Sequence, residues 1–266
     1  MALMEQIAPA RLAQPWDNVG LQVGSPAWPV RTIRVALDPA LDVIAAACRD
    51  RVDLVITHHP LIFKPLKRID PASEQGAVIR EAVTHQTAVF SAHTNLDAAV
   101  GGVNEVLACR LGIEHVRPLV SGEPSGVRSP ADETQGLGRI GDLKSPQLLT
   151  DFARRVKTRL GLAHVRVSGS PELDVKRVAV CSGSGSGLLE DFLVSDAQVY
   201  VSGDLHYHNA RDTVAAGRAL IDVGHFASEV VVVDALAKRL QEACSQAGLA
   251  VTVQACRLER DPFRTM

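Results

Sequence analysis

Short apolar runs alternate with segments of helical spacing along most of the chain. The apolar runs cover residues 32–37, 52–56, 88–92, 177–180, 198–202 and 219–223. Segments whose apolar residues recur at helical spacing lie between or after them, at residues 41–51, 73–85 and 103–111. Strands that alternate with helices in this way indicate βαβ units and a largely parallel sheet. The predicted fold class is therefore α/β, with mostly parallel or mixed sheets.

The second half of the chain repeats the order of the first. Residues 34–37 (Arg-Val-Ala-Leu) resemble residues 177–180 (Arg-Val-Ala-Val), and each run is followed by a helix-like segment and an apolar strand. Internal similarity of this kind is a sign of repeated architecture. We therefore predict an N-terminal α/β lobe at residues 1–118 and a C-terminal α/β lobe at residues 135–266. Residues 119–134, rich in Ser, Gly, Pro and acidic side chains, are predicted to connect them.

A helix is predicted shortly after this connector. Ser145 and Pro146 are the residue types preferred at the N-cap and first position of a helix. Apolar residues then recur at helical spacing as far as Leu160. The pattern predicts a strand over residues 136–143 and a helix over residues 145–160.

Histidine and carboxylate side chains lie where the predicted strands of both lobes end. One strand of the first lobe ends in His58-His59. The next strand leads into His93-x-x-x-Asp97, and the equivalent strand of the second lobe leads into His225-x-x-x-Glu229. Helical residues four apart share a face, and the carboxyl ends of parallel strands commonly border ligand sites. We therefore predict two related lobes whose strand ends converge, with a metal site in the cleft between them.

The candidate metal ligands are nitrogen and oxygen donors, without thiolates: His58, His59, Asp97, His225 and Glu229. This donor set suits zinc, iron, manganese or nickel and does not select among them. Five donors are more than one catalytic zinc with an open coordination position requires. They fit two ions that share a carboxylate and a water. Each residue also has a structural interpretation: Asp97 as a helix N-cap, Glu229 as an acid favoured by the helix dipole, His225 as an exposed loop residue. The repeated His-x-x-x-acid spacing favours the metal-binding interpretation over these structural ones.

Other polar groups near these strand ends have supporting roles. His93 is a candidate catalytic residue that can orient Asp97 or contact a substrate, and a purely structural role is the alternative. His208 is a candidate general acid or base, because imidazole titrates near neutrality. Gly183 and Gly185 lie in a Ser-Gly run between a strand and a helix, where backbone N–H groups can bind an anion such as a phosphate. The same run is also typical of an ordinary flexible turn.

Composition narrows the class of partner. The chain is 46% hydrophobic and 22% charged, which is typical of a soluble globular protein. A formal net charge of −2 and 4% aromatic residues give no reason to expect nucleic acid or an anionic membrane as the partner. The five scattered cysteines suggest neither a zinc ribbon nor a disulfide framework. With neither a signal peptide nor a run of membrane-spanning length, the expected location is the cytoplasm.

Taken together, the motifs resemble those of one known family along the whole chain: Trp16-Asp17-Asn18-Val19-Gly20-Leu21, Thr57-His58-His59-Pro60-Leu61-Ile62-Phe63, His93-Thr94-Asn95-Leu96-Asp97, Gly203-Asp204-x-x-Tyr207-His208, Gly224-His225-x-x-x-Glu229 and Asp261-Pro262-Phe263. The set is similar to that of GTP cyclohydrolase I type 2 homologues, also called Nif-three-like dinuclear metal centre proteins. The resemblance implies two α/β lobes, a toroidal homohexamer and a dinuclear centre in which Glu229 bridges the two ions.

The resemblance also implies a function, and this chain departs from the family pattern in two respects. It implies a metal-dependent hydrolase that opens the purine ring of GTP. The alternatives are a metal-dependent phosphoesterase and a non-catalytic metal-binding protein that acts through interaction or regulation. The extra domain that longer members carry in the middle is expected to be absent here. His206 stands where the family commonly has a lysine, which adds a proton donor or weak ligand.

Overall fold

The computed structural model describes residues 1–122 and 134–264 as a mixed α/β protein with two sheets. The chain divides into two compact units: unit 1 comprises Met1–Ala99 and Val232–Met266, and unit 2 comprises Val100–Val231. These bounds differ from the predicted lobes, because the chain returns to unit 1 after unit 2 is complete. Most of the predicted connector, residues 123–133, lies outside the described residues.

The elements follow one another in a βαβ-like order. The strands are β1 (Gly20–Val23), β2 (Thr32–Ala36), β3 (Leu54–Thr57), β4 (Ala88–Ser91), β5 (Ile113–Ser121), β6 (Gly136–Leu148), β7 (Arg166–Ser168), β8 (Asp174–Ser184), β9 (Val199–Gly203), β10 (Ala219–Asp222) and β11 (Thr252–Ala255). The helices are α1 (Ala2–Ile7), α2 (Leu41–Arg49), α3 (Glu74–Thr84), α4 (Thr94–Ala98), α5 (Val103–Leu111), α6 (Leu149–Arg159), α7 (Leu189–Val194), α8 (Tyr207–Ala215), α9 (His225–Glu229) and α10 (Val231–Gln246). Within the described residues, Ala10–Leu12 and Gly185–Leu188 are short 3₁₀ segments.

Unit 1 is built on a five-stranded sheet in the order β1-β4-β3-β2-β11. Strands β4, β3, β2 and β11 are parallel, and β1 pairs with β4 antiparallel at one edge. Apolar faces of α2 and α3 pack with the sheet in one buried cluster, which includes Ile44, Val55 and Val78. The neighbouring strands β3 and β4 therefore end at the same edge, as predicted.

Unit 2 contains a six-stranded mixed sheet in the order β5-β6-β8-β9-β10-β7. Its centre, β8-β9-β10, is parallel. Successive side chains of a strand point to opposite faces, so Val199 and Val201 enter one buried cluster while Tyr200 enters another. Burial of both faces explains why these strands read as continuous apolar runs in the sequence.

The helix predicted over residues 145–160 begins later than expected. Residues 145–148 belong to β6, and α6 starts at Leu149. After an irregularity, β6 resumes its pairing with β8 at Gln147↔Val175 and Leu148↔Asp174. Pairing with a neighbouring strand thus overrides the N-cap preference of Ser145 and Pro146.

The domain bounds have a similar origin in strand pairing. Antiparallel pairing of β5 with β6 keeps the chain on both sides of the predicted connector within unit 2. Parallel pairing of β11 with β2 brings the end of the chain back to unit 1. Among the described residues, no helix has both the length and the apolar character needed to cross a bilayer.

Candidate metal-binding residues

His58 and His59 follow β3 directly and are held by different acceptors. The Nδ1 atom of His58 lies 3.0 Å from the carbonyl oxygen of Ala92. The Nδ1 atom of His59 lies 2.7 Å from Oδ1 of Asp38. Carbonyl and carboxylate oxygens only accept, so in both rings Nδ1 carries the proton and Nε2 bears the lone pair. This is the tautomer that binds a metal through Nε2.

The carboxylate of Glu259 holds Asp38, the hydrogen-bond partner of His59. The side chain of Glu259 accepts hydrogen bonds from the backbone N–H groups of Leu37 and Asp38, at 2.9 and 2.7 Å. Burial raises the pKa of Glu259 above its usual value. Because Asp38 in turn holds His59, the C-terminal segment contributes to the orientation of this imidazole.

His93 joins the two strand-end histidines in unit 1. Ligand atoms of His58, His59 and His93 all lie within 4.8 Å of one another. The Nδ1 atom of His93 lies 2.9 Å from Oδ1 of Asp17, which orients this ring as Asp38 orients that of His59. Sequence reasoning gave His93 a supporting role, whereas its position makes it a further candidate ligand. Asp97 lies near this group, with Oδ1 3.8 Å from Nε2 of His58.

Asp17 is ionised under nearly all conditions. Its side chain is 0% exposed. Burial by itself raises the pKa of this carboxyl, but hydrogen bonds from His93 and Thr94 and the charge of His93 outweigh burial and lower the pKa to about 2. The carboxylate therefore remains an acceptor for the Nδ1–H of His93 across the physiological pH range.

In unit 2, His225 and Glu229 form a direct pair on α9. Nε2 of His225 lies 3.1 Å from Oε2 of Glu229, and the two residues are one turn apart on the same helix, as their spacing predicts. Nδ1 of His225 lies 2.8 Å from Oδ2 of Asp204, the residue that follows β9. Glu229 is only 4% exposed. A buried carboxylate and an anchored imidazole thus lie side by side.

Gly183 provides the space that Glu229 occupies. Its φ of +63° lies in the left-handed region, and a Cβ atom there would lie 2.2 Å from Oε1 of Glu229 and 3.3 Å from Nε2 of His225. The N–H of Gly183 donates to Oγ of Ser228 at 2.8 Å, and that hydroxyl donates to the carbonyl of His225 at 2.7 Å. The end of β8 therefore forms a backbone wall beside the pair.

The N–H of Gly183 already donates to Ser228, and anion binding by Gly183 stays a prediction. Gly185 is also closely packed: its carbonyl accepts from the Tyr200 hydroxyl at 2.9 Å, and an added Cβ would lie 1.9 Å from Oγ of Ser202. Anion binding by Gly185 stays a prediction. The Ser-Gly run serves close packing at both positions.

His206 and His208 lie at the start of α8 and are exposed. The ring of His208 contacts that of Tyr207, with centroids 5.4 Å apart. His206 is the N-cap of α8, where its backbone N–H donates to Oδ1 of Asn209 at 2.8 Å. The catalytic role of His208 stays a prediction.

The acids that orient the histidines were missed by sequence reasoning. Asp38 and Asp204 come soon after the ends of β2 and β9, so the strand-end position that singled out the histidines could have found them as well. Asp17 and Glu259 lie far along the chain from the residues they hold. No local pattern connects Glu259 with Asp38, since 221 positions separate them.

The donor set fits a divalent metal in both units. Imidazole nitrogen and carboxylate oxygen suit zinc, iron and manganese. A hydrogen bond from the opposite ring nitrogen to a carboxylate or carbonyl is the usual support of a metal-bound histidine. His58, His59, His93 and His225 all have that support.

The fold and these residues define an α/β protein with histidine and carboxylate groups suited to metal at its strand ends. The chain belongs to the Duf34/NIF3 (NGG1p interacting factor 3) family, which it matches over residues 1–262.

Relatives and solved structures agree with this assignment. A "GTP cyclohydrolase 1 type 2 homolog" of Streptococcus pneumoniae is 31% identical over 263 residues, which cover 97% of this chain and 95% of the relative. A protein of the same name from Bacillus subtilis is 28% identical over 359 aligned positions, covering 98% of this chain and 96% of the relative. Because that alignment is longer than this chain of 266 residues, the relative has residues that this chain lacks. The crystal structure of a Bacillus cereus protein related to NIF3 has a TM-score of 0.92 at 27% identity, covering 100% of this chain and 97% of that chain.

Proposed function

We propose that this protein is a metal-dependent hydrolase with two divalent metal ions per chain, held by His58, His59, Asp97, His225 and Glu229. The observation that carries the proposal is the shared anchoring of Nδ1 in His58, His59 and His225. A histidine whose Nδ1–H is held by an acceptor presents Nε2 as a ligand without further reorganisation. Glu229 is proposed as the carboxylate that would be shared by the two ions.

Bound divalent ions would lower the pKa of a water molecule and polarise an electrophilic group of the substrate. The chain's own residues support that chemistry in distinct ways. Asp17, Asp38 and Asp204 hold the Nδ1–H of His93, His59 and His225 and so keep each Nε2 available. His208 is proposed as the proton donor and acceptor, for which its exposure at the start of α8 is suitable.

The proposed substrate is a nucleotide of the GTP class. The names of the relatives from Streptococcus pneumoniae and Bacillus subtilis support this choice. The proposal includes a toroidal homohexamer and a location in the cytoplasm, both of which follow from the resemblance and composition set out above. Light scattering of the purified protein measures the assembly directly, and a mass of one or two chains would contradict the hexamer.

Metal content is the first test of the proposed centre. We expect about two ions of zinc, iron or manganese per chain in protein purified without chelator, measured by elemental analysis. His59→Ala removes one ligand, so the content is expected to fall by at least about half. His85→Ala is a matched control, because Nδ1–H of His85, at the end of α3, also donates to a backbone carbonyl, that of Glu81 at 2.9 Å. It is expected to keep the wild-type content.

Activity is tested with the same samples. Metal-loaded protein is expected to convert GTP to a ring-opened product, and His59→Ala is expected to reduce the rate to background. Turnover of a phosphomonoester or diester panel without turnover of GTP would identify a phosphoesterase instead. A full metal content with hydrolysis of neither class, together with a large loss of thermal stability on chelation, would identify a structural metal and overturn the hydrolase.

A further inference from the structure

Two large aromatic side chains of unit 1 are exposed beside the histidine cluster. Trp16 is 59% exposed and Phe63 is 44% exposed. Their ring centroids are 5.7 Å apart at an interplanar angle of 66°, and each lies 6.3 Å from the centroid of His93. An exposed apolar surface of this kind often marks a place where a ligand or partner binds. Its position next to candidate metal ligands favours a ligand.

Trp16 is fixed relative to His93 by the residue that follows it. The buried carboxylate of Asp17 accepts from Nδ1 of His93 at 2.9 Å and from the backbone N–H of Thr94 at 3.0 Å. Both bonds involve an ionised acceptor, which makes them stronger than neutral ones. The backbone beside Trp16 is therefore attached to the start of α4.

Phe63 is fixed in turn to the segment that carries Trp16. The carbonyl of Ile62 accepts from the Asn18 side chain, and the N–H of Ile62 donates to Oε1 of Gln22 at 2.7 Å. Nε2 of Gln22 donates to the carbonyl of Asn18 at 2.6 Å. Both backbone groups of the residue before Phe63 are thus held. The two rings are placed before any ligand arrives.

We propose that Trp16 and Phe63 form a binding subsite for a planar heteroaromatic ring of the substrate, the chemical class of nucleobases and pterins. A ring that stacks on the face of one side chain can contact the edge of the other, since the two are steeply inclined. Because hydrogen bonds already order both segments, little entropy remains to be lost when the ring binds. This inference rests on the proposed function, in that it takes the neighbouring histidines to belong to the reactive centre.

Binding is tested with a matched pair of probes, GMP and ribose 5-phosphate, which share a sugar phosphate and differ in the heteroaromatic ring. Calorimetry on metal-loaded wild-type protein is expected to show GMP binding that is at least about tenfold tighter than ribose 5-phosphate binding. Trp16→Ala is expected to weaken GMP binding roughly tenfold or more and to leave ribose 5-phosphate unchanged. Trp16→Phe keeps a stacking face and is expected to restore most of the affinity.

Fluorescence gives a second measurement of the same contact. The chain has two tryptophans, so the Trp28→Phe variant reports from Trp16 alone. GMP is expected to quench its emission, and ribose 5-phosphate is not. Phe263→Ala serves as control for loss of an exposed phenylalanine, since Phe263 is 86% exposed near the end of the chain. It is expected to bind GMP as the wild type does.

Elemental analysis of each variant separates failure of the subsite from failure of the metal centre. Wild-type metal content in Trp16→Ala, with unchanged GMP affinity, overturns the subsite and leaves the proposed function intact. No GMP binding by metal-loaded wild-type protein overturns the subsite as well. A changed oligomeric state in Trp16→Ala without any change in GMP affinity identifies the pair as a contact between protein chains and also overturns it.

Discussion

The two units present the same sequence spacing, His-x-x-x-acid, in different local structures. In unit 2, His225 is the first residue of α9, so it and Glu229 lie one turn apart with their ligand atoms 3.1 Å from each other. In unit 1, His93 precedes α4 as its N-cap, with φ −106° and ψ −110°, and Asp97 approaches His58 instead. The same spacing therefore places its histidine inside the helix in unit 2 and at the N-cap of the helix in unit 1.

The units also differ in what buries the candidate ligands. His58 is held at a parallel strand end and its side chain is 1% exposed, whereas the side chain of His225 is 37% exposed. In unit 2 it is the carboxylate that is buried, against the backbone of Gly183. Unit 1 therefore relies on sheet geometry to place its imidazoles. Unit 2 relies on a glycine that leaves room for an acid.

The sharpest way to break the unit 2 arrangement is Gly183→Ala. The new Cβ would lie 2.2 Å from Oε1 of Glu229, so the carboxylate has to move. We expect metal affinity to fall by more than the roughly 10–100-fold typical of an outer-partner mutation, because a ligand itself is displaced. Calorimetric titration of chelated protein with Zn²⁺ measures the change.

Gly217→Ala is the matched control for this prediction. Gly217 has φ +71° with nothing within 4 Å of an added Cβ, so it isolates the backbone cost. Gly217→Ala is expected to lose about 1–2 kcal/mol of stability in urea unfolding. Gly183→Ala is expected to lose more than this, because its Cβ also displaces Glu229. Equal metal affinity in the two variants would show that Glu229 is not a ligand.

Asp38→Asn and Asp204→Asn compare the carboxylates that orient one histidine in each unit. Both lie within hydrogen-bond distance of Nδ1, at 2.7 Å from His59 and 2.8 Å from His225. Each variant is expected to lower metal affinity roughly 10–100-fold. The backbone of Asp38 is also held by Glu259. Asp38→Asn is therefore expected to displace its histidine less than Asp204→Asn does. A wild-type titration curve for both variants would contradict the proposed role of the Nδ1 anchors.

The smallest effect on metal at neutral pH is expected from Asp17, whose influence is on acid stability. The pKa of Asp17 is about 2 in the folded chain, below its ordinary value of 3.8. A lowered pKa stabilises the folded state above pH 3.8, and this contribution is lost as the pH falls from 3.8 towards 2. It amounts to about 2 kcal/mol, and Asp17→Asn removes it.

Chemical unfolding between pH 2 and pH 6 measures this dependence. The Asp17→Asn variant is expected to show a flatter pH profile than the wild type. Asp151→Asn is the control, because its exposed ion pair with Arg154 contributes little. An unchanged slope in Asp17→Asn would mean that Asp17 does not carry the acid sensitivity.

Local pattern was sufficient for the strands and for most candidate ligands. Runs such as residues 199–202 are buried on both faces, so their apolar character is visible without knowledge of their neighbours. His58 and His59 were found because a strand end is itself a local signal. The start of α6 was missed, since the pairing of Gln147 with Val175 is a contact that residue preferences do not encode.

The orienting acids show the same limit at longer range. Asp17 holds His93 although 76 positions separate them, and no local sequence pattern near either residue predicts this contact. The close packing of Gly183 against Glu229 was missed for a different reason. A glycine required for close packing and a glycine in an anion-binding turn have the same sequence signature, and only the position of Glu229 distinguishes them.

The pairing of β11 with β2 has a consequence for biosynthesis. Unit 2 lies between the two segments of unit 1 in the sequence, so a ribosome releases all of Val100–Val231 before β2 gains β11 as its second neighbour. Glu259, which secures Asp38 and through it His59, emerges almost last. A nascent chain therefore has its inserted unit fully synthesised before Glu259 can accept hydrogen bonds from Leu37 and Asp38.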